Sequence, residues 1–207
     1  MGERPPAQFV GVTTYRDPLG RFSIRYPTNW HQVKLEDRDG ILFAPTPEDP
    51  HTWFAAWITP LEHPVRADDL YDLVLGAREG LTQFTDCTIH ASSELVLGNL
   101  IRLERIFTFR EGAAVRKRKI WLIYADTWMI VLTWQGSSEE AYEHWLPMAN
   151  YSFATFHLPE ALLFLTDPEV HQPAAPPESP ASEQSQDAAT TSASETASPA
   201  PEPPASS

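Results

Sequence analysis

The chain has 207 residues, a formal net charge of −13, 42% hydrophobic residues, seven tryptophans and one cysteine. That length holds one ample domain or two small ones, and a single cysteine excludes an intramolecular disulfide framework. The acidic balance argues against general nucleic-acid binding, because phosphate contacts need cations.

The N-terminal stretch MGERPPAQFVGVTTY lacks the apolar run of a signal peptide, and Pro6 breaks the myristoylation pattern. No apolar run is long enough to cross a bilayer. The expectation is a cytoplasmic protein without membrane insertion. A short strand is expected over 9–15, then DPLG as a turn. RFSIRY alternates, with Phe22, Ile24 and Tyr26 on one face and Arg21, Ser23 and Arg25 on the other, which predicts a strand with one buried face. PTN turns the chain, and Trp30 with QVKLE starts another strand. RDG at 38–40 reads as a tight turn before the apolar ILFA, and TWFAAWIT as a further buried strand.

A helix is expected from Ala67, with Asp68 and Asp69 at its positive end and Leu70, Leu73, Val74, Ala77 and Leu81 at helical spacing. Three extended segments follow, near 87–97, 100–109 and 115–124, then WMIVLTW, making a four-strand meander. Ser137 or Ser138 caps a second helix bearing Ala141, Trp145, Met148 and Ala149 on one stripe. PEALLFL closes the domain. Strands, helix, meander, helix predict an α+β fold, an antiparallel sheet layered with helices, over 1–167. Residues 168–207 carry six acids, no Lys or Arg and no aromatic ring. With so little apolar surface to bury, they are expected to form a disordered Pro/Ala/Ser/Glu-rich tail.

Residues 15–30, with Tyr15, Phe22, the Tyr26-Pro27 pair and Trp30, resemble the opening of the Mog1/PsbP-like superfamily, and YSFATF is similar to its closing helix. The resemblance spans about 9–157 and implies an antiparallel sheet between helical layers (a bacterial PsbP/DcrB-like α+β domain). The superfamily holds an extrinsic photosystem II subunit, a nuclear-transport cofactor and bacterial lipoproteins. It assigns no functional residue to a position here.

Candidate chemistry is sparse. The seven histidines form no HxH, HxxxH or HExxH, so no metal site or cofactor is expected. Glu140 and His144 share a helix face but are two ligands only. Cys87 lacks an activating base and reads as a small core residue. Asp68/Asp69 and Glu139/Glu140 sit at helix starts, where the dipole accounts for them. GxSxG, the P-loop and GxGxxG are absent, which weighs against an enzyme.

The densest charge feature is Arg116, Lys117, Arg118 and Lys119, with Arg102, Arg105 and Arg110 on the preceding strand. If these strands form a hairpin, the charges lie side by side and offer a site for an acidic or phosphorylated protein partner. The structural alternative is a solvated strand face that discourages edge pairing. Trp53, Trp57, Trp121, Trp128 and Trp134 fall in strands, as core or as the lining of an aromatic groove. The functional expectation is a protein-binding or adaptor module using the basic surface or the groove. A small-ligand carrier, an enzyme with an unrecognised pocket and a structural accessory subunit stay open.

Overall fold

In a computed structural model that describes residues 7–167, the first hairpin is built around one carboxylate. Asp17 joins β1 (Val12–Arg16) to β2 (Ser23–Pro27), and its Oδ2 accepts from the backbone amides of Leu19 and Arg21, both at 3.1 Å. The Arg21 guanidinium donates to the two Asp17 oxygens, Nε and Nη2 each at 2.8 Å. Gly20, at φ +73°, takes the left-handed position that the turn requires. Burial pushes the Asp17 carboxyl up. The hydrogen bonds from Arg21 and Leu19 and the Arg21 charge outweigh that, holding it below its ordinary value.

The remaining strands are β3 (His31–Lys34), β4 (Asp39–Ala44), β5 (Trp53–Pro60), β6 (Thr85–Leu97), β7 (Leu100–Glu111), β8 (Ala114–Ala125) and β9 (Trp128–Gly136). The helices are α1 (Leu70–Leu81), entered through a single 3-10 turn at Ala67–Asp69, α2 (Glu139–Ala154) and α3 (Glu160–Leu165). Strands β3 to β9 form one antiparallel sheet in the order β3-β4-β5-β9-β8-β7-β6. The fold is thus α+β, an antiparallel sheet packed against helices. The expected meander is present, and its last strand docks against β5. That central place explains why WMIVLTW reads as a continuous apolar run: from Ile130 to Gly136 every residue is buried.

PTN turns the chain as expected, the Trp30 amide donating to the Pro27 carbonyl at 3.1 Å, and the turn carries it from one sheet to the other: β2 forms a two-stranded sheet with β1 while β3 belongs to the large sheet. The alternation of β2 lays Phe22 and Ile24 onto that sheet as a covering layer, and Trp30 stacks on Trp134 at 5.8 Å. The turn expected at 38–40 is shifted, since Asp39 and Gly40 are already paired with Ile58 and Trp57.

One face of the sheet carries the main core. Ile41, Phe43, Phe54, Ile130, Leu132 and Trp134 meet the hairpin β1–β2 together with Met148 and Phe153 of α2. Burying each such side chain contributes about 1.5–3 kcal/mol. Ser138 is the α2 cap, accepting from the Ala141 amide at 3.1 Å, whereas Ser137 donates to Asp49 at 2.6 Å. The α2 entry depends on Gly136, where a Cβ would stand 2.4 Å from the Tyr142 nitrogen. On the opposite face α1 lays Leu70, Leu73, Val74 and Ala77 against Ile101, Leu103 and Tyr124, and these helix side chains stay half-buried. The tail expected at 168–207 lies outside the described residues.

Candidate functional site

Consecutive strand residues point to opposite faces, and the register shows where the seven basic residues go. Ile120 lies opposite Arg105, Arg118 opposite Phe107 and Arg116 opposite Phe109, so Arg105, Arg116 and Arg118 share the α1 side. Arg102, Arg110, Lys117 and Lys119 point to the α2 side. Both strands are interior to the sheet, so the charges guard no edge.

Five of the seven hold acids. Arg105 pairs with Glu94 at 2.8 Å, Arg110 with Asp86 at 2.7 Å and Arg116 with Glu111 at 3.0 Å. Lys117 pairs with Glu143 at 2.6 Å, and Lys119 reaches Glu104 at 3.7 Å and the Asn150 amide oxygen at 3.2 Å. Among the described residues Arg102 and Arg118 have no carboxylate within 4 Å. Each lines a cavity, and the two cavities are on opposite sides of the sheet.

The Arg102 groove, about 480 Å³, runs between β7, β8, the end of α2 and α3. Its walls are mainly Leu100, Trp121, Ile123, Phe153, Phe156 and Leu163. The Arg102 guanidinium carbon stands 4.2 Å from the Trp121 ring centroid, a cation–π distance. Among the described residues its Nε is buried without a hydrogen-bond partner. Trp121 is held in turn, its indole N–H donating to Glu104 and its ring 4.9 Å from that of Phe153. The groove therefore offers apolar walls and one desolvated, unsatisfied donor. Leu97 and Phe164, each a step or two along the chain from a lining residue, are 61% and 64% exposed.

Of the expected tryptophans, Trp121 alone lines this groove. Trp134 and Trp128 lie on the same sheet face but elsewhere, Trp134 fully buried and Trp128 under the Arg21 guanidinium at 5.1 Å. Trp53 and Trp57 are on the α1 side, with Arg118 at 5.4 Å and Arg38 at 5.2 Å. Phe153 and Phe156, which wall the groove, appeared in the sequence only as part of YSFATF, read there as a fold signature.

The remaining candidates hold structural contacts. Asp69 accepts from the Arg66 amide at 2.7 Å, and His90 bonds Thr108 at 3.0 Å. His144 packs edge-on against Trp145 at 4.8 Å. Burial pushes the half-buried Cys87 thiol up. Among the described residues no group of three or more His, Cys, Asp or Glu could hold a metal ion. Nor is any helix there long and apolar enough to cross a membrane.

No family model matches the sequence, and no curated protein does. Solved structures match. Cyanobacterial PsbP (CyanoP) from Synechocystis sp. PCC 6803 aligns with a TM-score of 0.53 at 11% identity, over 77% of this chain and 99% of that one. LpqN of Mycobacterium tuberculosis, involved in cell envelope biogenesis, aligns with a TM-score of 0.51 at 12% identity, over 72% and 91%. The Saccharomyces cerevisiae Ran-binding protein Mog1p is a looser match, with a TM-score of 0.45 at 9% identity over 72% and 95%. The chain thus shares the fold of CyanoP and LpqN, at identities that show a shared fold alone. The cytoplasmic expectation is corrected by this comparison. A protein of cell envelope biogenesis shares the fold. The expectation rested on the lack of a leader-like run, and that lack does not define a compartment.

Proposed function

We propose that the chain is a non-catalytic binding module that takes an apolar, acid-bearing segment of a partner protein in the Arg102 groove. The observation that carries this reading is the buried Arg102 Nε without an acceptor, set in apolar walls. A buried donor left unsatisfied costs about 1–3 kcal/mol, which a carboxylate from a partner would recover through a charge-assisted bond. Leu97 and Phe164, close in the chain to lining residues, are exposed apolar side chains of the kind that recognition surfaces carry. Of the seven basic residues, Arg102 is the one this reading assigns to partner recognition. The five acid-paired members serve the sheet's own electrostatics.

The test is a random peptide library displayed on phage and panned on the folded chain. Enriched peptides should share a bulky apolar residue beside Asp or Glu, and their binding should fall at least about tenfold in Arg102→Glu and in Trp121→Ala. Enrichment without that pattern, or binding that survives both substitutions, overturns the proposal.

A further inference from the structure

The second unpaired guanidinium points to a site of a different kind. Arg118 lines a cavity of about 300 Å³ between α1 and the sheet, within the range of small-molecule sites. Its walls include Ala77, Leu81, Phe84, Ile120, Leu122 and Met129. The lining follows one face of β8 from Arg118 through Ile120 and Leu122 to Tyr124, so the slot is long and parallel to the strand. That shape suits a linear chain better than a compact ring system.

Arg118 is a cation in an apolar setting. Its guanidinium carbon lies 5.0 Å from the Phe84 ring and 4.8 Å from that of Phe109. Nε and Nη2 both donate to the single Gln135 amide oxygen. Burial pushes this guanidinium down to about 10, with Glu111 opposing, so the group is still charged at neutral pH. Glu111 is engaged by Arg116, and the other cation lining the slot, Arg105, is matched by Glu94. Among the described residues this leaves one positive charge with no carboxylate within 4 Å at one end of an apolar slot.

The helix keeps the slot open. Gly76 and Gly80 stand four apart, on one face of α1, and both line the cavity. At each, a Cβ would meet nothing within 4 Å. Glycine weakens a helix interior relative to alanine, and no close contact at either position requires it. Both glycines are exposed, so they leave this side of the slot without side chains and open to solvent.

We propose that this cavity binds a linear apolar carboxylate, with the carboxylate on Arg118 and the alkyl chain beneath Gly76 and Gly80. Charge complementarity selects the head group: an anion neutralises the lone guanidinium, an alcohol does not, and a cation is repelled. The site is independent of the Arg102 groove, being on the other face of the sheet.

The experiment titrates the full chain by calorimetry with decanoate below its micellar range, beside decanol and decyltrimethylammonium as probes of equal chain length. Decanoate should bind saturably, decanol at least about tenfold more weakly and the cation not at all. Arg118→Gln should reduce decanoate to the affinity of decanol. Gly80→Leu, which puts a side chain into the open slot, should abolish binding while raising the thermal midpoint. Arg102→Glu should leave decanoate binding unchanged, so failure here is separable from failure of the protein-binding reading. Absence of saturable decanoate binding, equal binding of decanoate and decanol, or loss of binding in Arg102→Glu with retention in Arg118→Gln overturns the proposal.

Discussion

Replacing Asp17 with Asn isolates the charge of the carboxylate that organises the first turn. In the folded chain this side chain accepts two backbone amides and two guanidinium N–H groups, and it is almost fully buried. The amide keeps the size but has one acceptor oxygen, and its NH2 faces donors. Arg21 would retain Asp39, which is largely exposed. Breaking a buried pair from one side costs about 3 kcal/mol, and in a domain of this size that lowers the thermal midpoint by about 6–12 °C. The effect depends on pH with a definite sign. The folded-state pKa of Asp17 is depressed, so its stabilisation is fully present above the ordinary carboxylate range and lost as pH falls through the folded value. Urea melts of wild type and Asp17→Asn should therefore differ by about 3 kcal/mol at pH 7 and converge at low pH. Arg21→Ala and the double variant complete the cycle. Additivity of the two single costs to within about 0.5 kcal/mol, or a gap that does not narrow in acid, would refute the reasoning.

Gly136→Ala should cost about 2 kcal/mol in chemical denaturation, because the new methyl group meets the α2 backbone at Tyr142. Ser138→Ala should cost about 1 kcal/mol by removing the acceptor of the Ala141 amide. Alkylation of Cys87 at pH 8 should run slower than that of a free cysteine in solution, since burial raises its pKa, and should reach the free rate in denaturant.

Local pattern carried much of the architecture. The alternation of Phe22, Ile24 and Tyr26 marked the hairpin layer, and the spacing from Leu70 to Leu81 marked α1, because burial on one face leaves a period in the chain. Strand order left no such trace. Nothing near Trp53 or Trp128 announces that β5 and β9 pair, since that choice is made by long-range packing. The basic run shows a missed signal. Four consecutive residues in a strand must divide two and two between faces, so Arg116 to Lys119 could not form one patch. The isolation of Arg102 and Arg118 needed three dimensions, because it depends on which acids the other five reach.

The docking of β9 on β5 makes the large sheet two smaller ones joined along a single seam. β3 to β5 form by local hairpins near the start of the chain, and β6 to β9 by local hairpins later. During synthesis β5 would have an open edge until the chain beyond Trp128 emerges, and such an edge is a template for wrong partners. Among the strand pairings of the large sheet the seam has the longest loop to bridge, and non-local closures of this kind slow folding. The hydrogen-bonded bridge between Ser23 and His157, both bonds 2.9 Å, then ties the chain that follows α2 back to the first hairpin. A nascent chain stopped before β9 would therefore be an aggregation hazard for want of a neighbour, even with most of its strands already made.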